Sequence, residues 1–518
     1  MIDILRIPDS TEIISENAKN DAKVTFELKD DKLGVYLCAD NEHPCFVKLR
    51  WNHRTNKPVK ILGDIWERSY GNLEWRSMNE DRALPWYFLV NDGKDTVGCG
   101  VMVQPNSFVS FLYDPMGVTA YIDVRCGAVG VELAGRTLHC CDVVCRKYEG
   151  VSTFEAAKMF CRLMCPSPIL PKKPVYGGNN WYYAYGKSSR QEILADVELL
   201  SSLCDGNENR PYFVIDDCWQ INPCAGPWES NEKFGDMKTL ADEIRARNVN
   251  PGIWVRLLHD IEFEAAHPEW CIPKRGERGI YLDPSRKEVM DYVRKVVRKI
   301  KDWGYDILKH DFTTVDMFGS YDFQLNGFIT EFDGWSFFDR SRTGAEIMLD
   351  LYRAIKEEAG DMMILGCNTA SHLCAGLCEI NRTGDDTSGK DWNRTRATGV
   401  NTLAFRMAQN NAFYVIDADC VGILDKNIPW ELNSRWLDLL SKSGTPLFVS
   451  AKPESLTEEM KAALKAAFAH SSVQEDVAEP LDWEYNKTPM VWSINGETVE
   501  YDWFTEAVPK CLKHCHQN

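Results

Sequence analysis

Two short segments carry side chains that could do chemistry. Asp306-Ile307-Leu308-Lys309-His310-Asp311-Phe312 is an apolar run that ends in a lysine and a carboxylate. Arg382-Thr383-Gly384-Asp385-Asp386 also closes on charged groups. Cleavage of an acetal needs a carboxylate on one face of the sugar and a carboxylic acid at the leaving oxygen. Asp311 suits the first role. On a strand Lys309 points to the same side as Asp311, and a cation there favours the ionised form. Asp385 suits the second role, because it follows Gly384 and has Asp386 beside it, and a like charge raises the pKa of one carboxyl of a pair. The plainer reading of either aspartate is a solvated loop residue that caps the next helix.

The rest of the chain must place these groups together. At 518 residues it is long enough for two or three domains, and its 44% hydrophobic and 26% charged residues are those of a globular protein. Residues 1–170 read as a β-sandwich. Runs such as Val24–Leu28, Cys45–Leu49, Trp86–Val90 and Ala120–Val124 are strand-like and separated by turn residues. One helix over Phe154–Met164 and a proline-rich linker, residues 165–174, follow. Residues 171–470 alternate strand, loop and helix. Strands are predicted at 175–181, 212–215, 252–255, 306–312, 362–366, 378–381, 413–416 and 446–449. Eight strands alternating with helices, such as those predicted from Lys287 to Trp303 and from Asn393 to Gln409, are the count for a (β/α)8 TIM barrel. An open doubly wound sheet is disfavoured, since no Gly-x-Gly-x-x-Gly loop follows an early strand. Residues 471–518 read as a small C-terminal β-domain.

In such a barrel the active site lies at the C-terminal strand ends. Those ends carry Trp181; Asp216, Asp217 and Trp219; Trp254 and Arg256; Lys309 and Asp311; Asn368; Arg382, Asp385 and Asp386; Asp417 and Asp419; and Lys452. Exposure explains a polar residue at one strand end, but not at nearly all of them. Asp216 and Asp217 would be costly to bury unless they bind hydroxyls or pair with cations; one of them pairing with Arg256 or Lys309 is the structural alternative.

Composition narrows the partners. The net charge, 59 − 77 = −18, disfavours nucleic acid and anionic membranes. No apolar run reaches the ~18 residues a membrane span needs, and the N-terminus lacks the pattern of a signal peptide. The 19 cysteines include several in apolar strand-like runs, which suits reduced thiols in the cytoplasm. A metal site is expected nowhere; the tail Cys511-Leu512-Lys513-His514-Cys515-His516 has the donors, but chain ends fray. The expected partner is a small oligosaccharide or glycoside, and a homo-oligomer is compatible with the sequence.

Several motifs resemble one enzyme group. Ile215-Asp216-Asp217-Cys218-Trp219 is similar to the I-D-D-C-W of family 27 α-galactosidases, and Leu308-Lys309-His310-Asp311 to the L-K-x-D nucleophile motif of the clan that families 27, 36 and 31 share. Tyr281–Ser285 resembles the segment upstream of that nucleophile. Gly63–Gly71 and Pro85–Phe88 resemble the N-terminal sandwich of glycoside hydrolase family 36. The resemblance implies a retaining, exo-acting α-galactosidase without metal or organic cofactor. It implies Asp311 as nucleophile, Asp385 as acid/base, Asp216 and Asp217 on the sugar O4 and O6, and Lys309 and Arg382 on further hydroxyls. It also implies Trp181 against the ring and Trp66 reaching in from the sandwich. Trp254, Arg256, Asn368 and Asp386 complete the expected substrate-binding set. Counting from Arg382 instead of Gly384 makes Asp386 the acid.

The sequence departs from the family after the fifth strand. Cys367-Asn368-Thr369-Ala370-Ser371-His372 stands where bacterial family 36 enzymes carry a Cys-x-x-Gly-Gly-Gly-Arg run. Small residues there leave room for an acetamido group, so an α-N-acetylgalactosaminidase is one alternative. Arg382–Asp386 resembles the Arg-x-Ser-Asp-Asp of raffinose synthases, so a galactosyl transferase is another. A catalytically inactive sugar-binding barrel is the third.

Overall fold

The computed structural model describes all residues except 1, 18, 276–278, 425–426, 474–475 and 508–518. The Cys511–His516 tail therefore lies outside the described residues. Nine parallel strands form the central sheet. They are β1 (Tyr176–Asn179), β2 (Tyr212–Ile215), β3 (Asn250–Val255), β4 (Ile307–His310), β5 (Met363–Gly366), β6 (Ile380–Arg382), β7 (Val415–Asp417), β8 (Cys420–Ile423) and β9 (Leu447–Ala451). Their order is β7-β6-β5-β4-β3-β2-β1-β9-β8.

β7 begins within the seventh strand expected at 413–416, whereas β8 lies beyond that span; together they fill the seventh place in the barrel. β7 pairs with β6 and β8 with β9, so the sheet closes through Ala418 and Asp419. Asp419 breaks the strand because its φ of 75° lies in the left-handed region. The strands are short and mostly apolar up to their polar C-terminal ends, because both faces are covered. On the outside, the helix Lys287–Asp302 buries Val289, Val293, Val296, Val297 and Ile300. The helix Gly344–Ala359 starts at a capping box in which Thr343 and Glu346 satisfy each other's backbone N–H.

Two expectations need correction. The first strand was expected to run to Trp181, but it stops at Asn179. Asn179 Oδ1 accepts the Trp181 N–H at 2.8 Å and turns the chain into a helical turn, Trp181–Ala184. The helix expected from Asn393 to Gln409 is four successive segments, with a wide π turn over Thr395–Val400.

Before the barrel, an antiparallel five-stranded and an antiparallel seven-stranded sheet enclose their own core, including Val35, Leu49, Trp51, Phe88 and Phe111. After it, Ala478–Pro480, Val491–Ile494 and Glu497–Glu500 form a small sheet. Among the described residues no helix is long and apolar enough to cross a membrane.

The feature that matters for the site is the 64–71 segment of the sandwich. It lies across the C-terminal end of β6. Ser69 N–H donates to Thr383 O and Asp385 N–H donates to Ser69 O, each at 2.8 Å, so Ser69 and Gly384 form a parallel bridge. The segment is anchored by the buried pair Arg406–Asp64 at 2.8 Å and by Trp66 N–H on Asp322 Oδ1 at 2.7 Å.

Candidate active site

A cavity of about 340 Å³ opens at the C-terminal strand ends, a size that suits a small ligand. Asp311, just after β4, lies in its wall. Asp311 Oδ1 accepts from Asn368 Nδ2 at 2.5 Å and from Phe312 N at 2.7 Å, and Oδ2 accepts from Trp254 Nε1 at 3.0 Å. Burial alone would raise this carboxyl. The charges of Lys309 and Arg68, with the Trp254 and Asn368 hydrogen bonds, outweigh it and hold the pKa at about 2. Asp311 is therefore an anion across the ordinary pH range.

β2 ends on the other two carboxylates of the floor. Asp216 Oδ2 accepts from Lys309 Nζ and Asn179 Nδ2, both at 2.7 Å, and its Oδ1 accepts from Asp217 N at 2.9 Å. Asp217 Oδ1 takes three donors, Gln220 Nε2, Cys218 N and Cys224 N, at 2.6, 2.7 and 2.9 Å. None of these three N–H groups reaches Oδ2, which can accept a ligand hydroxyl. Burial raises the Asp217 pKa.

The end of β6 holds a network of alternating charge. Arg382 Nη2 contacts Asp419 Oδ2 at 2.5 Å, and Asp386 Oδ1 and the Tyr182 hydroxyl at 3.2 Å each. Asp386 lines the cavity, with its side chain 38% exposed. Asp385 does not line it. Its Oδ1 meets Arg68 Nη2 at 2.9 Å and its Oδ2 meets Arg394 Nη2 at 2.7 Å. Withdrawal from water raises the Asp386 pKa; Arg382 and Arg68 oppose that rise, and Asp419 and Asp385 add to it. One cavity thus contains a carboxyl whose pKa is lowered and another whose pKa is raised, the direction of split that acid/base chemistry on an acetal requires.

Of the residues singled out from sequence, Trp181, Asp216, Asp217, Trp254, Lys309, Asp311, Asn368, Arg382 and Asp386 line this cavity. Trp66 does not. It is buried edge-on against Trp86 and Phe108. Arg256 is also outside; its guanidinium is paired with Asp316, Nε to Oδ2 at 2.9 Å, and lies over the Phe312 ring. Sequence reasoning missed Arg68, Asn179, Tyr182 and the thiols Cys224 and Cys367, all of which line the cavity. Arg68 stands two residues from the tryptophan that was singled out. Its signal was the one basic residue of the glycine-bounded segment Gly63–Gly71. Among the described residues no three potential metal ligands converge.

No family model matches the sequence, and no curated protein does. Solved structures do match. The Thermus thermophilus α-galactosidase TtGalA, in complex with p-nitrophenyl α-D-galactopyranoside, superposes with a TM-score of 0.62 at 17% identity, over 92% of this chain and 99% of that one. The family 36 α-galactosidase AgaA of Geobacillus stearothermophilus gives 0.61 at 13% identity, over 94% and 76%. The fold is that of the family 36 α-galactosidases. The Lactobacillus brevis α-galactosidase shares it as well, with a TM-score of 0.61 at 12% identity over 94% of this chain and 74% of that one. The family 36 fold places a sandwich before the barrel, and in this chain that sandwich contributes Arg68 to the cavity.

Proposed function

We propose that the protein is a retaining, exo-acting α-galactosidase, with Asp311 as nucleophile and Asp386 as acid/base. The observation that carries this reading is the pair itself. Asp311 is kept ionised by Trp254, Asn368 and Lys309, and Asp386, with its raised pKa, lines the same cavity. Asp386 is preferred to Asp385 because both oxygens of Asp385 are taken by arginines. The likeness to solved α-galactosidases, one of them in complex with stachyose, supports an α-galactoside as the substrate.

In the first step an Asp311 oxygen bonds to the anomeric carbon, the glycosidic C–O bond breaks, and the Asp386 proton goes to the leaving oxygen. In the second, water attacks the anomeric carbon, Asp386 takes its proton, and the Asp311 ester bond breaks. Asp217 Oδ2 and Lys309 are placed to hold sugar hydroxyls while this happens.

A second reading is an α-N-acetylgalactosaminidase on the same machinery. The observation that favours it is Asn368 Oδ1, a buried acceptor without a hydrogen-bond partner among the described residues. An acetamido N–H is one donor that would satisfy it, and a sugar hydroxyl is another.

A panel of aryl α-glycosides (galactoside, N-acetylgalactosaminide, glucoside) with anomeric analysis of the first-formed product tests both readings. The expected result is cleavage of the galactoside with α-configured product. Preference for the N-acetylgalactosaminide would select the second reading, and β-configured product would overturn the retaining mechanism.

A further inference from the structure

The acid of a retaining glycosidase stands beside the leaving oxygen, so whatever surrounds the mouth of the cavity next to Asp386 meets the leaving group. Just outside the lining residues stands Tyr185. It ends the helical turn Trp181–Ala184, and its ring lies 5.3 Å from that of Trp181 and 6.4 Å from that of Tyr182, both cavity-wall residues. Tyr182 links this side of the cavity to Asp386: its hydroxyl stands 3.2 Å from Arg382 Nη2, which stands 3.2 Å from Asp386 Oδ1.

Three observations mark this spot as built. Tyr185 is an aromatic residue left 39% exposed. Its backbone is held at φ 44° and ψ 51°, a left-handed conformation that is uncommon for a bulky side chain. The next residue, Gly186 at φ 78°, packs so tightly that a Cβ would stand 2.5 Å from Cys218 Sγ, beside Asp217. The turn is thus pinned to the loop that carries a substrate-facing carboxylate. The exposed Lys390 holds its ammonium 3.7 Å from the Tyr185 ring centroid, and no acidic partner for it is present among the described residues.

We propose that Tyr185 and Lys390 form the leaving-group site of this cavity and that it takes a glycosyl leaving group, the next sugar of an oligosaccharide. The apolar face of a pyranose packs on the phenol ring, and Lys390 donates to its oxygens. This rests on the galactosidase reading with Asp386 as acid/base.

The test compares two substrates on the intact protein: an α-galactosyl oligosaccharide, and α-galactosyl fluoride, whose leaving group is a single atom. Tyr185→Ala should lower kcat/KM for the oligosaccharide about tenfold relative to the fluoride, which corresponds to roughly 1.4 kcal/mol of lost contact. Tyr185→Phe, which keeps the ring, should restore most of it, and Lys390→Ala should show a smaller selective loss. Equal losses on both substrates would assign Tyr185 a structural role and overturn the site, as would no loss on either. A wild-type protein that cleaves the fluoride but not the oligosaccharide would also overturn it. Failure of the wild type on both substrates would instead overturn the galactosidase reading, and the leaving-group site with it.

Discussion

Arg68 of the N-terminal sandwich and Asp385 of the barrel meet at 2.9 Å, and the backbone bridge between Ser69 and Gly384 runs directly beside them. The contact joins residues far apart in sequence and makes the sandwich part of the cavity wall. It also fixes the electrostatics, because the guanidinium lowers the pKa of both Asp311 and Asp386.

Arg68→Gln should therefore do more than loosen a domain contact. Loss of hydrogen bonds to a charged group is worth ~1.5–3 kcal/mol, roughly a 10- to 100-fold fall in rate if it is felt in the transition state. Both limbs of the pH profile should also move upward. Without the cation Asp311 protonates at higher pH, so the acid limb rises; Asp386 keeps its proton to higher pH, so the alkaline limb rises too. Steady-state kcat/KM across pH is the measurement. A fall in rate with an unmoved profile would leave Arg68 only a structural role.

The two aspartates after Gly384 should separate cleanly. Asp386→Asn removes the proposed acid, and should lower kcat/KM about 10²–10⁴-fold on substrates with poor leaving groups. The loss should be much smaller on an aryl galactoside with an acidic phenol, which needs no protonation. Asp385→Asn should affect both substrates equally, because Asp385 positions its neighbours through Arg68 and Arg394. If Asp385→Asn instead shows the leaving-group dependence, the acid is Asp385.

How much of this was legible in the sequence follows from the range of each interaction. β4 and Asp311 could be read because a short apolar run ending in Lys309 and Asp311 is a local pattern, and so could β2 with Asp216 and Asp217. The split of the seventh strand could not, since it depends on the backbone of Asp419 rather than on hydrophobic periodicity. Arg256 read as a site residue because it ends β3, but its partner Asp316 lies on the short helix after β4, which no pattern near Arg256 reveals. Trp66 and Arg68 were misranked for a similar reason. Trp66 reads as a residue reaching the sugar, by resemblance, until Trp86 and Phe108 close over it, and the arginine shows its use only when β6 is beside it.

Stability should fall as the pH rises through neutrality. Burial, with Glu67 nearby, raises Asp322 to about 7, and burial raises Asp196 to about 7 as well. In the unfolded chain an aspartate ionises near ~3.9. A raised folded-state pKa contributes stability that is fully present below that value and is lost as pH rises through about 7. The buried histidines His310 and His372, pushed down to about 4, act in the opposite direction, but their contribution is complete above roughly pH 6.5. The melting temperature should accordingly drop between about pH 6 and about pH 8. Asp322→Asn keeps an oxygen for the Trp66 N–H and should flatten that slope; an unchanged slope would remove Asp322 as a cause.

Gly384 offers the sharpest check on how the segment of the proposed acid/base is held. A Cβ at this position would lie 2.4 Å from Thr398 O and 2.7 Å from Thr402 Oγ1, on the segments that pack beneath Asp385 and Asp386. The backbone of the π turn at Thr398 is fixed and cannot yield as a flexible side chain would. Gly384→Ala should therefore cost ~1–3 kcal/mol of stability, the usual range for overpacking a closed site. The rate should fall by more than the folded fraction does, because displacing residue 384 moves Asp386 directly and breaks the bridge to Ser69 that carries Arg68. Denaturant unfolding and kcat/KM measured on the same preparation separate the two effects. Wild-type stability together with a wild-type rate would mean that the glycine is not there for space, and that Asp386 is positioned by Arg382 alone.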